Sequence, residues 1–270
     1  MAAELTQQQK RDLYDDGFAA LPGVVPDELV HRAVRAINHS LGTQGLHPDA
    51  LTYLRFRTYC PELSSSPAIL DLLYQSPLWN IVQTAIGEGQ VSKPTWAQIA
   101  LRLPRADDPI PADEDVSPER LAPMTPHIDG AKRMPDVPLP QPRQLTPRAG
   151  DALLAHYMLG HGIAENTSPD IRYTVYFRFT RLDRDEAAGP TPEADSTKVS
   201  GFTALLGVQL SDLTHENGGN LTVWPGSHHL YESYFRDNIA ETVADYLHPE
   251  LMADIWQEWD GMRRVRSGAA

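Results

Sequence analysis

Cysteine is almost absent from this chain of 270 residues, in which Cys60 is the only one. A single cysteine excludes an intrachain disulfide and fits the reducing cytosol, where we expect Cys60 to be a small buried apolar residue. The first ten residues lack the apolar segment of a secretory signal, and no run approaches the roughly 18 apolar residues of a membrane helix. We therefore expect a cytoplasmic protein without a membrane partner.

Positive charge is also scarce, because 23 Lys and Arg residues stand against 36 Asp and Glu residues, for a formal net charge of −13. Such a surface repels polyanions, which argues against nucleic acid or an anionic membrane as the main partner. No glycine pattern of a P-loop or of a dinucleotide-binding turn occurs. We expect a small-molecule ligand, and the sequence gives no oligomeric state.

The apolar spacing changes from helical to alternating near residue 96. One domain over 1–270 is predicted, with a helical N-terminal layer (1–90), a jelly-roll core (91–236) and C-terminal helices (237–270). Helices are predicted from Leu5 to Phe18 with an end near Asp16-Gly17, from Asp27 to a C′ residue at Gly42, over 67–74 and 78–86, and twice within 239–264. Strands are predicted over 96–103, 150–162, 171–180, 202–210 and 220–224, loop or edge structure over 134–148, and mobile loops over 104–120 and 182–199.

One short stretch, His127-Ile128-Asp129, carries the first sign of chemistry. Side chains two residues apart on a strand point to the same face, so the imidazole of His127 and the carboxylate of Asp129 would aim at one point. These are two ligands of the 2-His-1-carboxylate triad of non-heme Fe(II) oxygenases. A solvated pair in a loop is the competing interpretation of the triplet taken alone.

His161 and Arg172 are the candidates for a third ligand and for a cation behind it. His161 ends an apolar strand, and Arg172 follows eleven residues later on the next strand. Iron oxygenases with this ligand set use a dicarboxylic co-substrate, whose distal carboxylate needs a buried cation, and the guanidinium stays charged when buried. Alone, His161 would be a core histidine and Arg172 a surface arginine; their combination with His127 and Asp129 favours a metal site.

The chain resembles the phytanoyl-CoA dioxygenase family of Fe(II)/2-oxoglutarate oxygenases. The resemblance implies a double-stranded β-helix (a cupin-like jelly roll), a catalytic Fe(II) bound by His127, Asp129 and His161, and Arg172 holding the C5 carboxylate of 2-oxoglutarate. Gln98 shares a strand face with Arg102 and either reaches the co-substrate or faces the surface. The motifs that carry the resemblance are Tyr14-Asp15-Asp16-Gly17-Phe18 with Leu21-Pro22-Gly23, His127-Ile128-Asp129, Gly150-Asp151 with His161-Gly162, Asn166 and Arg172, and Glu216-Asn217-Gly218-Gly219-Asn220-Leu221 with Pro225-Gly226-Ser227-His228.

Two features depart from the family pattern. The Glu216–His228 segment normally lies between the H-x-D motif and the distal histidine, whereas here it follows Arg172. Either the strands keep the family's positions with altered connectivity, both new connections (130–150 and 181–201) joining adjacent strands, or the block order differs from that of the natural gene. The family also often has a hydroxyl residue two places after the distal histidine, and here that residue is Ile163.

The altered order creates a rival triad, in which His228 or His229 replaces His161 and Arg236 replaces Arg172. Pro225-Gly226-Ser227 places these histidines in a turn, which argues against the rival. The expected activity is hydroxylation of a small metabolite with formation of succinate and CO2. Hydroxylation is favoured over halogenation because Asp129 fills the position that a halide would need. A jelly-roll binding protein with a vestigial metal site, or a zinc hydrolase using the same ligands, are the alternatives.

Overall fold

The computed structural model describes residues 3–46, 58–104, 127–128, 136–182 and 202–237. These residues form two antiparallel β-sheets with helices against them. No helix within the described ranges is long and apolar enough to cross a membrane. Asp129, the predicted helices of 239–264 and nearly all of the predicted loops 104–120 and 182–199 lie outside these ranges.

The larger sheet has five strands in the order β1-β4-β7-β6-β2, and the smaller sheet has three in the order β3-β8-β5. Every pairing between neighbouring strands is antiparallel. The strands are β1 (Phe18–Leu21), β2 (Gln98–Arg102), β3 (Arg143–Gln144), β4 (Ala152–His156), β5 (His161–Ile163), β6 (Arg172–Phe179), β7 (Ala204–Gln209) and β8 (Leu221–Val223).

The helices supply the main hydrophobic core by packing on one face of the five-stranded sheet. Ile37, Leu72 and Val82 from three of the helices belong to the same buried cluster as Val175 and Phe177 of β6. Each such fully buried side chain contributes about 1.5–3 kcal/mol relative to an exposed one. The helices are α1 (Gln7–Asp15), α2 (Asp27–Gln44), α3 (Pro67–Tyr74), α4 (Leu78–Ile86) and α5 (Ser227–Asp237), with a short 3₁₀ helix at Pro61–Leu63.

Strand β6 separates this core from the space between the sheets. Its alternating residues Val175, Phe177 and Phe179 are completely buried against the helices. Arg172, Thr174 and Tyr176 lie on the opposite face and line an interior cavity. One face of β6 therefore packs on the helices and the other lines the cavity.

Some predicted boundaries differ from the structure. The first helix ends at Asp15 with Asp16 as its C-cap residue, close to the predicted end near Asp16-Gly17, whereas Phe18 pairs with β4 as the start of an edge strand of the larger sheet. The 1–90 layer is thus not purely helical. Helix α2 continues past Gly42 to Gln44, and Gly45 is its C-cap residue.

The two connections that the altered block order requires behave differently. β6 and β7 are neighbours in the larger sheet, so the connection after β6 joins adjacent strands as expected. His127 pairs with β5, whereas β3 lies at the other edge of the smaller sheet with β8 between. The segment that carries His127 thus neighbours the strand that carries His161, as expected, and β3 is a short strand within the 130–150 connection.

Candidate functional site

His127 and His161 lie directly opposite each other at one edge of the smaller sheet. Their backbones exchange two hydrogen bonds, since each N–H donates to the other residue's carbonyl oxygen at 2.9 Å. Directly opposite residues in an antiparallel pair send their side chains to the same face. The two imidazole rings accordingly have centroids 4.3 Å apart. The chain thus brings together two imidazole rings from positions 34 residues apart in the sequence.

The ring of His161 is oriented by its own backbone. Its Nδ1 lies 2.8 Å from the carbonyl oxygen of Leu159, and a carbonyl oxygen only accepts, so Nδ1 carries the proton. In the neutral ring the lone pair then belongs to Nε2. A hydrogen bond from one ring nitrogen to a carbonyl oxygen typically fixes the tautomer of a metal-binding histidine, whose other nitrogen binds the metal. His161 therefore fits a divalent cation at Nε2.

The third predicted ligand, Asp129, lies outside the described residues. Within 3–46, 58–104, 127–128, 136–182 and 202–237, no group of three His, Cys, Asp or Glu side chains could hold a metal ion. The described residues thus supply two imidazoles, and a complete triad requires the carboxylate that follows His127 by two positions.

The space between the two sheets contains a cavity of about 270 Å³. A second cavity of about 20 Å³ adjoins it and is lined by His161. Both cavities share walls formed by Tyr176 and Gly207 of the larger sheet. The interior therefore leads from His161 past Tyr176 to Arg172, which lines the larger cavity.

Arg172 is a buried cation, with only 3% of its surface exposed. Its Nε donates to the Thr174 hydroxyl at 2.8 Å, its Nη1 to the Gly219 carbonyl oxygen at 3.1 Å, and its Nη2 to the Tyr176 hydroxyl at 2.8 Å. The Thr174 hydroxyl in turn donates to Oε1 of Gln209 at 2.9 Å. These contacts hold the guanidinium plane in one orientation at the wall of the cavity.

The charge of Arg172 has no ionic partner among the residues that the structure describes, where the one ion pair joins Arg32 to Asp71. A buried charge is strongly disfavoured unless an opposite charge compensates for it. Three of its five N–H donors bond to uncharged oxygens. The arrangement suits an anionic ligand that enters the cavity with a carboxylate.

The rival histidines have other contacts. Nε2 of His228 and Nε2 of His229 lie 3.0 and 2.8 Å from the carbonyl oxygen of Tyr14, so both nitrogens are donors. The other ring nitrogen of His228 faces Gly17, where an added Cβ would lie 2.6 Å from Nδ1. Burial and the adjacent His229 lower the pKa of His228 to about 3. This pair links α5 to α1, whereas His161 contacts His127.

Gln98, two nearby aromatic residues and Arg236 have different surroundings. Oε1 of Gln98 accepts a hydrogen bond from Arg178 at 2.9 Å, and Gln98 lies opposite Tyr176 on the inner face of the larger sheet. Tyr157 lines the small cavity beside His161, whereas Trp96 is 52% exposed. Gln98 is half-buried and is not among the described residues that line either cavity. Arg236 belongs to α5, and its side chain lies outside the described part of the structure.

Most polar residues of the recognised motifs stabilise turns. The carboxylate of Asp151 accepts backbone N–H bonds from Gly23 and Arg148, each at 2.7 Å. The side-chain amide of Asn166 donates to the Arg102 and Asp170 carbonyl oxygens, and that of Asn220 donates to the Leu145 and His215 carbonyl oxygens. Asn166 and Asn220 are not among the described residues that line the larger cavity, whereas Asp151 is. All three stabilise the turns between the strands that carry the site.

Sequence reasoning did not single out Arg143 or Gln209, although both line the larger cavity. Thr174 and Tyr176 could have been found, because they alternate with core residues on the strand that carries Arg172. Arg143 stands in a proline-rich stretch with no alternating pattern. Its position follows from its pairing with Val223, far along the chain.

No protein-family model, curated protein or solved structure matches this chain.

Proposed function

We propose that the protein is an Fe(II)- and 2-oxoglutarate-dependent dioxygenase that hydroxylates a small-molecule metabolite. The observation that carries the proposal is the pair of cavities between the sheets, with His161 at one end, its ring paired with that of the exposed His127, and the buried guanidinium of Arg172 at the other. Candidate metal ligands on one sheet and a cation on the facing sheet are what a chelating keto acid requires. Asp129 is the proposed third ligand.

The fold that we propose is a jelly roll of the double-stranded β-helix type. Two facing antiparallel sheets, with ligand space between them and the paired histidines at a sheet edge, support it. We infer altered connectivity within this fold, because the segment carrying His127 neighbours β5, and β7 neighbours β6.

Each side chain has a distinct role in the proposed reaction. His127, Asp129 and His161 would hold Fe(II), which together with 2-oxoglutarate activates O2 for C–H hydroxylation and yields succinate and CO2. Arg172 would bind the distal carboxylate through its N–H donors, with Thr174, Tyr176 and the Gly219 carbonyl oxygen fixing its plane. The apolar walls would exclude water from the reacting atoms.

The decisive experiment compares iron content and succinate formation in the wild type, His161→Ala and His229→Ala, with Fe(II), 2-oxoglutarate and ascorbate. We expect His161→Ala to lose bound iron and succinate formation, and His229→Ala to keep both. Asp129→Ala should behave like His161→Ala. Loss of both properties in His229→Ala alone would reject the assignment of His161.

The same assay separates the alternative functions. Removal of O2 abolishes succinate formation by a dioxygenase, but it leaves a zinc hydrolase active. A vestigial metal site in a binding protein would give no succinate with any substrate tested. The buried Arg172 favours the dioxygenase, because a chelating dicarboxylic co-substrate requires an interior cation, whereas activation of a zinc-bound water does not.

A further inference from the structure

Arg143 lies in the same cross-strand row as the paired histidines. It pairs with Val223 of β8, Val223 pairs with His161 of β5, and His161 pairs with His127. Residues directly opposite each other across a sheet share a face, so all four side chains project from the same face. Two strand spacings of about 4.7–4.9 Å place the strand of Arg143 roughly 10 Å from that of His161.

The guanidinium of Arg143 is held by its face rather than by its N–H groups. Its central carbon lies 4.9 Å from the centre of the Phe18 ring, across the gap between β3 of the smaller sheet and β1 of the larger one. Stacking on an aromatic ring leaves the N–H edges of the fork available in the guanidinium plane. Within the described ranges, Arg143 has no ion-pair partner. Its geometry suits bidentate binding of a carboxylate.

Among the described residues that line this cavity, one is acidic: Asp151, whose carboxylate oxygens accept backbone N–H bonds from Gly23 and Arg148. Asp151 forms no ion pair with Arg143, and two arginines against one aspartate leave the described lining with a formal net charge of +1. Two arginines, Arg143 and Arg172, line a cavity in a protein whose formal net charge is −13. This local positive charge attracts an anionic ligand, although the negative net charge of the protein repels anions.

Several leucines and a valine line the cavities between Arg143 and the paired histidines. Leu145, Leu153 and Leu221 line the larger cavity, and Val223 lines the smaller cavity beside His161. A ligand that reaches from Arg143 towards the histidines thus needs an anionic end and a hydrocarbon body. The cavity of about 270 Å³ is at the lower limit of ligand pockets, so the ligand is small.

We propose that Arg143 is the specificity-determining anchor of a carboxylate subsite, and that the substrate is a small organic acid with an apolar body, held by its carboxylate at Arg143. The inference rests on the proposed function in calling this acid a substrate; the subsite itself is a property of the cavity. Arg172 takes the co-substrate carboxylate, and Arg143 takes that of the second acid.

The test is calorimetric titration of the full-length protein with hexanoate and with its uncharged counterpart hexanamide. Each probe is titrated with and without saturating 2-oxoglutarate, which fills the Arg172 end. The variants are Arg143→Gln, Arg143→Lys and Arg148→Gln. Arg148 is exposed, as Arg143 is, but it lies outside the described cavity lining, so its variant controls for the loss of one positive charge.

We expect hexanoate to bind in the presence of 2-oxoglutarate, and Arg143→Gln to weaken it by about tenfold or more, as loss of a charge-assisted bidentate contact predicts. Arg143→Lys should restore part of the affinity, Arg148→Gln should bind as the wild type does, and hexanamide binding should be the same in all variants. Unchanged hexanoate affinity in Arg143→Gln would overturn the proposal, as would complete displacement of hexanoate by 2-oxoglutarate.

Succinate formation, measured separately with the same acids, distinguishes the two levels of inference. Stimulation by acids and not by their amides, lost in Arg143→Gln, supports both the subsite and the dioxygenase. Arg143-dependent binding without succinate from any acid leaves the carboxylate subsite standing and rejects the proposed function.

Discussion

Replacement of Gly219 by alanine should damage both the stability of the protein and its affinity for an anionic ligand. Gly219 has a φ of +80°, in the left-handed region, where a side chain costs about 1–2 kcal/mol. An added Cβ would lie 2.9 Å from the Cβ of Arg102 and 3.3 Å from the Cδ of Arg172. Unstrained carbon contacts are about 3.5–4.0 Å, so strand β2 or the buried guanidinium must move.

Such overpacking adds about 1–3 kcal/mol to the backbone term, for a total destabilisation of about 2–5 kcal/mol. Gly89 offers a matched control, because its φ is +71° and no atom lies within 4 Å of its hypothetical Cβ. Gly89→Ala therefore carries the backbone term alone, about 1–2 kcal/mol. The difference between the two variants isolates the steric contact at the anion anchor.

Urea unfolding followed by circular dichroism measures both free energies, and calorimetry measures the dissociation constant of 2-oxoglutarate. We expect Gly219→Ala to unfold at the lower urea concentration and to bind 2-oxoglutarate more weakly, since the Gly219 carbonyl oxygen and the Arg172 side chain are in contact. Gly89→Ala should bind it as the wild type does. Equal unfolding free energies for the two variants would refute the steric argument.

Two further predictions concern buried ionisable side chains, Arg172 and His228. Arg172→Gln should weaken 2-oxoglutarate binding by about 10²–10⁴-fold, the equivalent of two charge-assisted hydrogen bonds. The affinity of Arg172→Lys should lie between those of the wild type and Arg172→Gln, because an ammonium group keeps the charge but not the planar, bidentate geometry of the guanidinium. Calorimetric affinities equal to that of the wild type would contradict this. Burial and His229 lower the pKa of His228 from 6.5 to about 3, so between these pH values the unfolded chain binds a proton that the folded protein excludes. The contribution of His228 to the free energy of unfolding should fall by about 2 kcal/mol from pH 6.5 to pH 5.0. Urea unfolding at both pH values should therefore show a smaller loss of stability in His228→Gln than in the wild type. The same pH dependence in both proteins would exclude His228 as its source.

Local sequence signals predict those helices and strands whose ends depend on their own residues rather than on distant partners. Helices α3 and α4 have the predicted bounds, because Pro67 suits a first helical turn and Gly87 ends the second helix. Strand β6 shows its two faces in the sequence because one face packs on helices and the other on a cavity. In both cases the residue pattern reports burial directly.

Elements that depend on distant partners give no such signal. Phe18 continues the helical spacing of α1 in the sequence, yet it pairs with Ala155 of β4 because the sheet offers its backbone hydrogen-bond partners. Arg143 lies in a strand of two residues within a proline-rich segment, and only β8 gives it a register. Tertiary pairing overrides the local preference in the first case and creates the element in the second.

The site shows the same division. His127, His161 and Arg172 are recognisable because their residue types and order resemble a known ligand and anchor pattern. The contacts that orient them involve a backbone carbonyl at Leu159 and hydroxyls at Thr174 and Tyr176. A carbonyl group exists at every position, so its role depends on geometry that the sequence does not express.

Register, rather than chain order, therefore determines this site. The row that contains Arg143, Val223, His161 and His127 draws on four separate stretches of the chain, and its geometry depends only on which residues are paired. A connection that crosses the smaller sheet between His127 and β3 lengthens a loop, and the entropy of loop closure grows only slowly with length. An exchange of blocks can thus change the connections while the paired strands keep the imidazoles and the two arginines around one interior space.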